Sequence, residues 1–330
     1  MANPCRGLDP TPHDVQMDAA LQLIMDTGVA LRREMISFGA TDQEIASSVR
    51  HGVLCRIRQG AYTIPARWRA ASDVERHRLT CVAVSRQLGG HVALSHTSSL
   101  VTQRVATWGA DLSRVHVTRL DGGVGRFDAG IVHHEGRIDS SDLVMTDSGI
   151  LVSRPARAAI EHASISSVES GLVSADYLLH AKLSDDDDLT RTFTSMGHWP
   201  GTQHVHMVVR LADARSESPG ETRSRYLFWR HGLPAPRLQF EVYDANGILI
   251  GVCDFAWPEH GLLGEFDGRV KYGRLLKSDQ KPGDVVFAEK RREDRLREIT
   301  QWSMVRIIGS DLATPAQTAA RVRRLLRQAA

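Results

Sequence analysis

Asp254 and Glu265 are the residues whose types and spacing most directly suggest chemistry. Each lies in a short run of strand-forming residues, Ile248–Trp257 and Leu262–Asp267, separated by the turn segment Pro258-Glu259-His260-Gly261. An antiparallel pairing of the two runs could bring the acids side by side. Two carboxylates at an apolar strand end are costly unless a cation or hydrogen bonds compensate them. Mg²⁺ or Mn²⁺, hard ions that take oxygen ligands, are the natural compensation. Such an ion lowers the pKa of a bound water and offsets charge on a phosphoryl oxygen and its leaving group. Glu221, on a helical segment upstream, is placed to add a further acid, and Gln239 to orient a water or a phosphate.

Other reactive side chains read differently. His133 and His134 are adjacent, so on a strand they point to opposite faces and cannot share one metal. His91 and His96 lack a carboxylate partner in the sequence, and all four histidines are read as structural or surface groups. The run Asp185–Asp188 is read as a solvated loop or a helix N-terminus favoured by the dipole. The four cysteines are scattered, with no C-x-x-C pair, which argues for a reducing compartment and against a zinc or disulfide framework. Cys253 is read as a small apolar strand residue.

The elements that must position the acids follow from periodicity and turn signals. Residues 221–230 predict a helix ended by Gly232 and Pro234. The runs 238–243, 248–257 and 262–267 predict three strands, the first turn carried by Asn246-Gly247, a strong hairpin signal. A charged helix over about 284–299, a strand over 303–308 and a helix over 315–327 complete the chain. Period-two alternation puts Leu263, Glu265 and Asp267 on one strand face. Arg291, Arg292, Arg295 and Arg297 could meet phosphates, but they sit among Glu289, Glu293, Asp294 and Glu298, where i,i+4 pairing is the simpler role. Helix, three-stranded meander, helix, strand, helix is the chain order of the PD-(D/E)xK nuclease core.

Upstream, helical signals over 21–25 and 31–37 precede Thr41-Asp42-Gln43-Glu44, which has the form of a capping box opening a helix to about Arg50. Two short strands around Gly60 follow. This is the order of a winged helix-turn-helix, in which the third helix enters a DNA major groove. Arg50, His51, Arg56 and Arg58 would then lie near phosphates; a solvated face is the alternative. A middle region alternates helices over 72–88, 155–163 and 169–183 with short strand-like runs at 115–118, 131–134 and 143–145.

With 330 residues the chain suffices for two or three domains, and its hydrophobic (42%) and charged (24%) fractions match an ordinary globular protein. Its formal charge of +2 excludes a polycation, so a nucleic-acid surface must come from local clustering. No apolar run approaches about 18 residues, and the N-terminus lacks a signal-peptide core, so a cytoplasmic protein without a membrane span is expected.

Residues 216–225, Cys253-Asp254-Phe255-Ala256-Trp257-Pro258, Gly264-Glu265-Phe266-Asp267-Gly268, Glu289–Asp294 and Trp302–Arg306 resemble, in order, segments of very-short-patch-repair-like endonuclease domains. The likeness covers about residues 216–312. Arg56-Ile57-Arg58-Gln59-Gly60-Ala61-Tyr62 resembles the wing of AbiEi-type antitoxins of type IV toxin–antitoxin systems, and Ser95–Leu100 and Val152–Ala158 resemble their middle domain. One departure concerns position 267, where the wider nuclease superfamily has lysine and this chain has Asp267. Lys271 could swing back to replace it, Asp267 could act as an extra ligand, or the site could bind DNA without cutting it.

The expectation is an α/β multidomain (α+β) protein. It comprises a winged helix-turn-helix (1–68), an α/β middle domain with linker (69–215) and a restriction-endonuclease-like α/β core (216–330). Its expected role is DNA binding, duplex first, with metal-dependent phosphodiester hydrolysis by Asp254, Glu265, Glu221, Asp267 and Lys271. Asp254 and Glu265 would hold Mg²⁺ or Mn²⁺, and Arg50, Arg56, Arg58 and Gln239 would contact nucleic acid. The alternative is a non-enzymatic, antitoxin-like regulator with a degenerate nuclease fold, whose partners are an operator or a toxin. A homodimer is open to either.

Overall fold

The computed structural model describes residues 12–268 and 282–328. Within them the chain forms two compact units, one comprising the residues up to 105 together with 109–162, the other 106–108 together with 163 onward. The fold is mixed α/β, with three separate sheets. No helix among the described residues is long and apolar enough to cross a membrane.

The first unit opens with helices α1 (Pro12–Thr27), α2 (Arg32–Ser37) and α3 (Asp42–Arg50) and strands β1 (Ala30–Leu31), β2 (Cys55–Arg58) and β3 (Ala61–Thr63). Ile24, Met35, Ile45 and Leu54 form its small core. Glu44 closes the predicted capping box on α3, taking the Thr41 backbone N–H at 2.7 Å. β1 escaped the sequence reading because two residues carry no alternation; it pairs with β3 to give the order β1-β3-β2. α1 stops at Gly28, whose positive φ of 86° suits glycine, and where a Cβ would stand 2.6 Å from Leu79.

After α4 (Pro65–Ala70) comes the middle sheet. Its elements are α5 (Asp73–Leu88), β4 (Val92–Leu94), α6 (His96–Thr102), β5 (Val115–Arg119), β6 (Arg126–Asp128), β7 (Ile131–His134), β8 (Leu143–Met145), β9 (Leu151–Ser153) and α7 (Pro155–Ser164). The strand order is β6-β7-β5-β4-β9-β8. One face carries Val92, Leu94, Val115, Val117 and Ile131, packed with Cys81 and Val84 of α5.

The second unit contains α8 (Val168–His180), α9 (Asp186–Met196), α10 (Val205–Leu211), α11 (Pro219–Arg230), β10 (Arg237–Tyr243), β11 (Leu249–Trp257), β12 (Leu262–Asp267), α12 (Pro282–Thr300), β13 (Ser303–Ile308), α13 (Gly309–Leu312) and α14 (Pro315–Gln328). The acid run 185–188 forms the start of α9, with Asp185 as its N-cap. The sheet order is β10-β11-β12-β13, antiparallel except for the β12–β13 pair. On one face Phe255, Trp257, Val305 and Ile307 pack with Phe228 of α11 and Val322 of α14. On the other, Cys253, Ala256 and Leu263 meet Leu296 of α12.

The sequence suggests a middle domain over 69–215; in the structure residues 163–215 cluster with the second compact unit. Long-range polar contacts link α8 to α11 within that unit. Asp176 of α8, 1% exposed, accepts Thr222 Oγ1 at 2.8 Å, Arg225 Nη2 at 2.6 Å and the Asp213 N–H at 2.9 Å. Burial raises the Asp176 pKa, against the pull of Arg225. Replacing Asp176 with alanine strands a buried guanidinium, and urea unfolding of Asp176→Ala should show a loss of about 3–5 kcal/mol. Asp147→Ala, at an exposed turn, should stay within about 0.5 kcal/mol of the parent.

Candidate functional site

The register of the C-terminal sheet sets four polar residues in one row. Leu238 pairs with Phe255 and Phe240 with Cys253, so Gln239 falls opposite Asp254. Gln239 has a left-handed φ of 49°, which interrupts the ladder there. Phe255 pairs with Gly264, so Asp254 and Glu265 are next in line where β11 and β12 stop pairing. At that point Asp254 Oδ2 accepts the Phe266 N–H at 2.7 Å, a carboxylate taking the place of a ladder carbonyl. The parallel pairing of β12 with β13 continues, matching Glu265 with Arg306.

The acids of this row are electrostatically loaded. Glu265 is 7% exposed. Burial is the largest cause raising its pKa; Arg292 and Arg306 oppose the shift, and the Asp254 charge adds to it. Arg292, on α12, donates to Glu265 Oε1 and, through Nη1, to the Val252 carbonyl at 3.2 Å. Arg306 lies 3.8 Å from Glu265 and 3.6 Å from Asp267, and it donates to Glu293 at 2.8 Å. The i,i+4 pairing expected on α12 is realised by Arg297 with Glu293 at 2.7 Å. Arg292 instead turns to the acid pair. Burial, and then the charge of Glu265, pushes the Cys253 thiol up to about 12, which disfavours the thiolate.

Glu221 occupies the first turn of α11 as the reciprocal member of a cap. Its backbone N–H reaches Ser218 Oγ at 3.3 Å, and its carboxylate accepts Ser218 Oγ at 2.6 Å and the Glu217 N–H at 2.9 Å. Gln239 Nε2 donates to the same carboxylate at 3.1 Å. The structure therefore joins Glu221 to Gln239, Asp254 to β12, and Glu265 and Asp267 to arginines. Lys271 lies outside the described residues. The oxygen donors of Asp254 and Glu265 suit a hard divalent ion, and their mutual repulsion gives such an ion something to relieve.

In the N-terminal part of the first unit Gln43, Ala46 and Arg50 share the exposed side of α3, and Arg56 is exposed on β2. His51 is engaged at the helix end, its Nδ1 contacting the Ser47 carbonyl at 2.9 Å. Arg58 does not join Arg56 on the surface. A register shift between them, Arg56 opposite Tyr62 but Arg58 opposite Ala61, breaks the alternation. Arg58 Nη1 is buried with no hydrogen-bond partner, and burial lowers its pKa. It lines a cavity together with Trp68, Asp73, Arg76 and His77.

One cluster escaped the sequence reading. His96, His116 and His134 offer nitrogens all within 4.8 Å of one another. His133 and His134 do point to opposite faces, but His134 finds His116 on the neighbouring strand. His96 does have a carboxylate beside it, Glu161, at 3.8 Å. These positions are far apart in sequence and share no spacing signal; the pairing of β5 with β7 and of β4 with β5 brings them together.

α11 reaches the sheet because Gly220 lets it approach: a Cβ there would stand 1.9 Å from Phe266. Gly220→Ala should therefore lower stability in urea by about 1–3 kcal/mol, the usual cost of overpacking. Gly251→Ala, whose Cβ meets nothing nearer than 3.5 Å, should not.

No family model matches the chain. The uncharacterized proteins MT2308 and Rv2248 of Mycobacterium tuberculosis, from strains CDC 1551 / Oshkosh and ATCC 25618 / H37Rv, are each 28% identical to it over 294 residues. Each alignment covers 88% of this chain and 98% of the relative. That length exceeds either compact unit, so the similarity extends across both.

Proposed function

We propose that this chain is a cytoplasmic DNA-binding protein whose second unit hydrolyses phosphodiester bonds with the help of Mg²⁺ or Mn²⁺. The observation that carries the reading is the row Gln239, Asp254, Glu265 and Arg306 at the point where β11 and β12 separate. The helix, three strands, helix, strand order around that row supports it.

Asp254 and Glu265 would hold the ion. Bound there, it would activate a water and offset charge on the phosphoryl group. Asp254 is oriented by its bond to the Phe266 N–H. Gln239, held by Glu221, is placed to hydrogen-bond a phosphate or a water. Arg292 and Arg306 put positive charge beside Glu265, in a site whose position 267 lacks the lysine of the resembled superfamily. In a partly buried setting such fixed donors stabilise charge that develops on an oxyanion. The winged unit would dock on duplex DNA through α3, with Arg50 and Arg56 on phosphates.

A second reading has a specific observation in its favour. Glu265 is already compensated by two arginines, and Asp267 also faces Arg306. A retired nuclease core in a DNA-binding regulator would look the same. Incubation with supercoiled plasmid and single-stranded DNA in Mg²⁺, Mn²⁺ or EDTA separates the two. The nuclease cuts only with metal, and Asp254→Ala falls by at least about 100-fold, the scale of losing a metal ligand or charge stabiliser. Absence of cutting by a folded protein that binds DNA equally in EDTA would leave the regulator.

Binding itself makes a separate prediction. The double variant Arg50→Ala/Arg56→Ala should weaken duplex binding across sequences. It should also reduce the slope of log K against log salt by about 1–2, close to one per lost phosphate contact. Arg58→Ala should leave that slope unchanged, because its guanidinium is directed inward.

A further inference from the structure

The histidine cluster of the first unit is built from three elements of the middle sheet. His116 on β5 and His134 on β7 sit on neighbouring parallel strands, where Thr118, two residues beyond His116, is the register partner of His134. Period two therefore puts both imidazoles on one face, opposite the face that carries Val115, Val117 and Ile131. His96 enters from the first turn of α6. His116 Nδ1 and His134 Nε2 are 2.9 Å apart, and the His96 and His134 rings stack with centroids 3.7 Å apart.

Two features distinguish this cluster from ordinary core histidines. His96 is a non-glycine residue with a left-handed φ of 51°. Such strain persists only where the surroundings enforce it. Here the enforcing group is Glu161, 0% exposed, which accepts the His96 backbone N–H at 3.1 Å and Ser153 Oγ at 3.0 Å. Arg157 Nε holds the same carboxylate at 2.8 Å. The His96 Nδ1 side is likewise occupied, with Ser95 Oγ at 3.0 Å and Glu161 Oε2 at 3.8 Å. A carboxylate and a hydroxyl behind one ring nitrogen are what fixes the tautomer of a metal-binding histidine and leaves the other nitrogen as the ligand.

We propose that His96, His116 and His134 together bind one divalent transition-metal ion of the imidazole-preferring class, with Zn²⁺ the best fit, and that Glu161 positions His96. Three imidazoles suit Zn²⁺, Co²⁺, Ni²⁺ or Cu²⁺, whereas Mg²⁺ and Mn²⁺ prefer the oxygens of the acid row. A three-histidine set leaves a fourth coordination position for water or a ligand. The site is independent of the proposed nuclease centre and stands or falls separately.

The test uses the full chain, stripped with a chelator and titrated with Co²⁺. The expected result is one equivalent giving the intense visible d–d absorption of a low-coordinate nitrogen site, displaced by Zn²⁺ and unchanged in Asp254→Ala. Thermal stability should rise with bound metal. His134→Gln, at the least buried of the three positions, should lose the absorption. Glu161→Gln should retain it with affinity lower by on the order of 10–100-fold. His91→Gln, at an exposed position nearby, should match the parent. A folded wild-type protein with no such absorption would overturn the site without any variant, as would undiminished binding by His134→Gln.

Discussion

A carboxylate withdrawn from water costs several kcal/mol unless opposite charge and hydrogen bonds replace its hydration. Four described acids are 7% exposed or less: Glu161, Asp176 and Glu265 each pair with an arginine, and Glu221 accepts bonds from Ser218, Gln239 and the Glu217 N–H. Arg157, Arg225 and Arg292 thereby fix how helices meet sheets and other helices, and the proposed chemistry sits beside two of the three pairs. Without these compensations, neither the α8–α11 seam nor the acid row would hold its geometry.

What differs between the three arginine-paired acids is how completely they are satisfied. Asp176 takes an arginine, a threonine hydroxyl and a backbone N–H, all within 3 Å, and nothing near it calls for a ligand. Its role is to tie the helices of the second unit to α11, and so to the helix that carries Glu221. Glu265 shares its surroundings with Asp254, so positive charge from two arginines is set against a second negative group. Glu161 spends its bonds on Arg157, Ser153 and the backbone of His96, and thereby holds that residue in a left-handed conformation. The first acid is structural, while the other two lie against residues of the proposed metal sites.

The two candidate metal sites follow the hardness of their donors. Carboxylate oxygens at the end of β11 and on β12 suit a hard ion that keeps much of its water and meets phosphate. Buried neutral imidazoles on β5, β7 and α6 suit a borderline ion that sheds water readily. Period-two alternation places His116, His134 and Glu265 on their strand faces, whereas His96 comes from the first turn of α6.

The sequence by itself determined the elements and their order wherever a local signal was strong. Strands 262–267 and 303–308, the Asn246-Gly247 turn, the Thr41–Glu44 cap and the acid start of α9 all follow from alternation, turn chemistry or capping, which depend on residues a few positions apart. Asp254 and Glu265 were legible as a pair for the same reason: one turn joins their strands. Tertiary structure decided everything that rests on register between distant segments. Arg58 turns inward because of a register shift between β2 and β3, which no periodicity announces. Arg292 faces Glu265 rather than only its helical neighbours because α12 lies over that strand. Asp176 of α8 meets Thr222 and Arg225 of α11, 46 and 49 positions away. His116 and His134 become neighbours only when β7 pairs with β5, and His96 joins them through the pairing of β4 with β5; such long-range pairings leave no mark on local spacing.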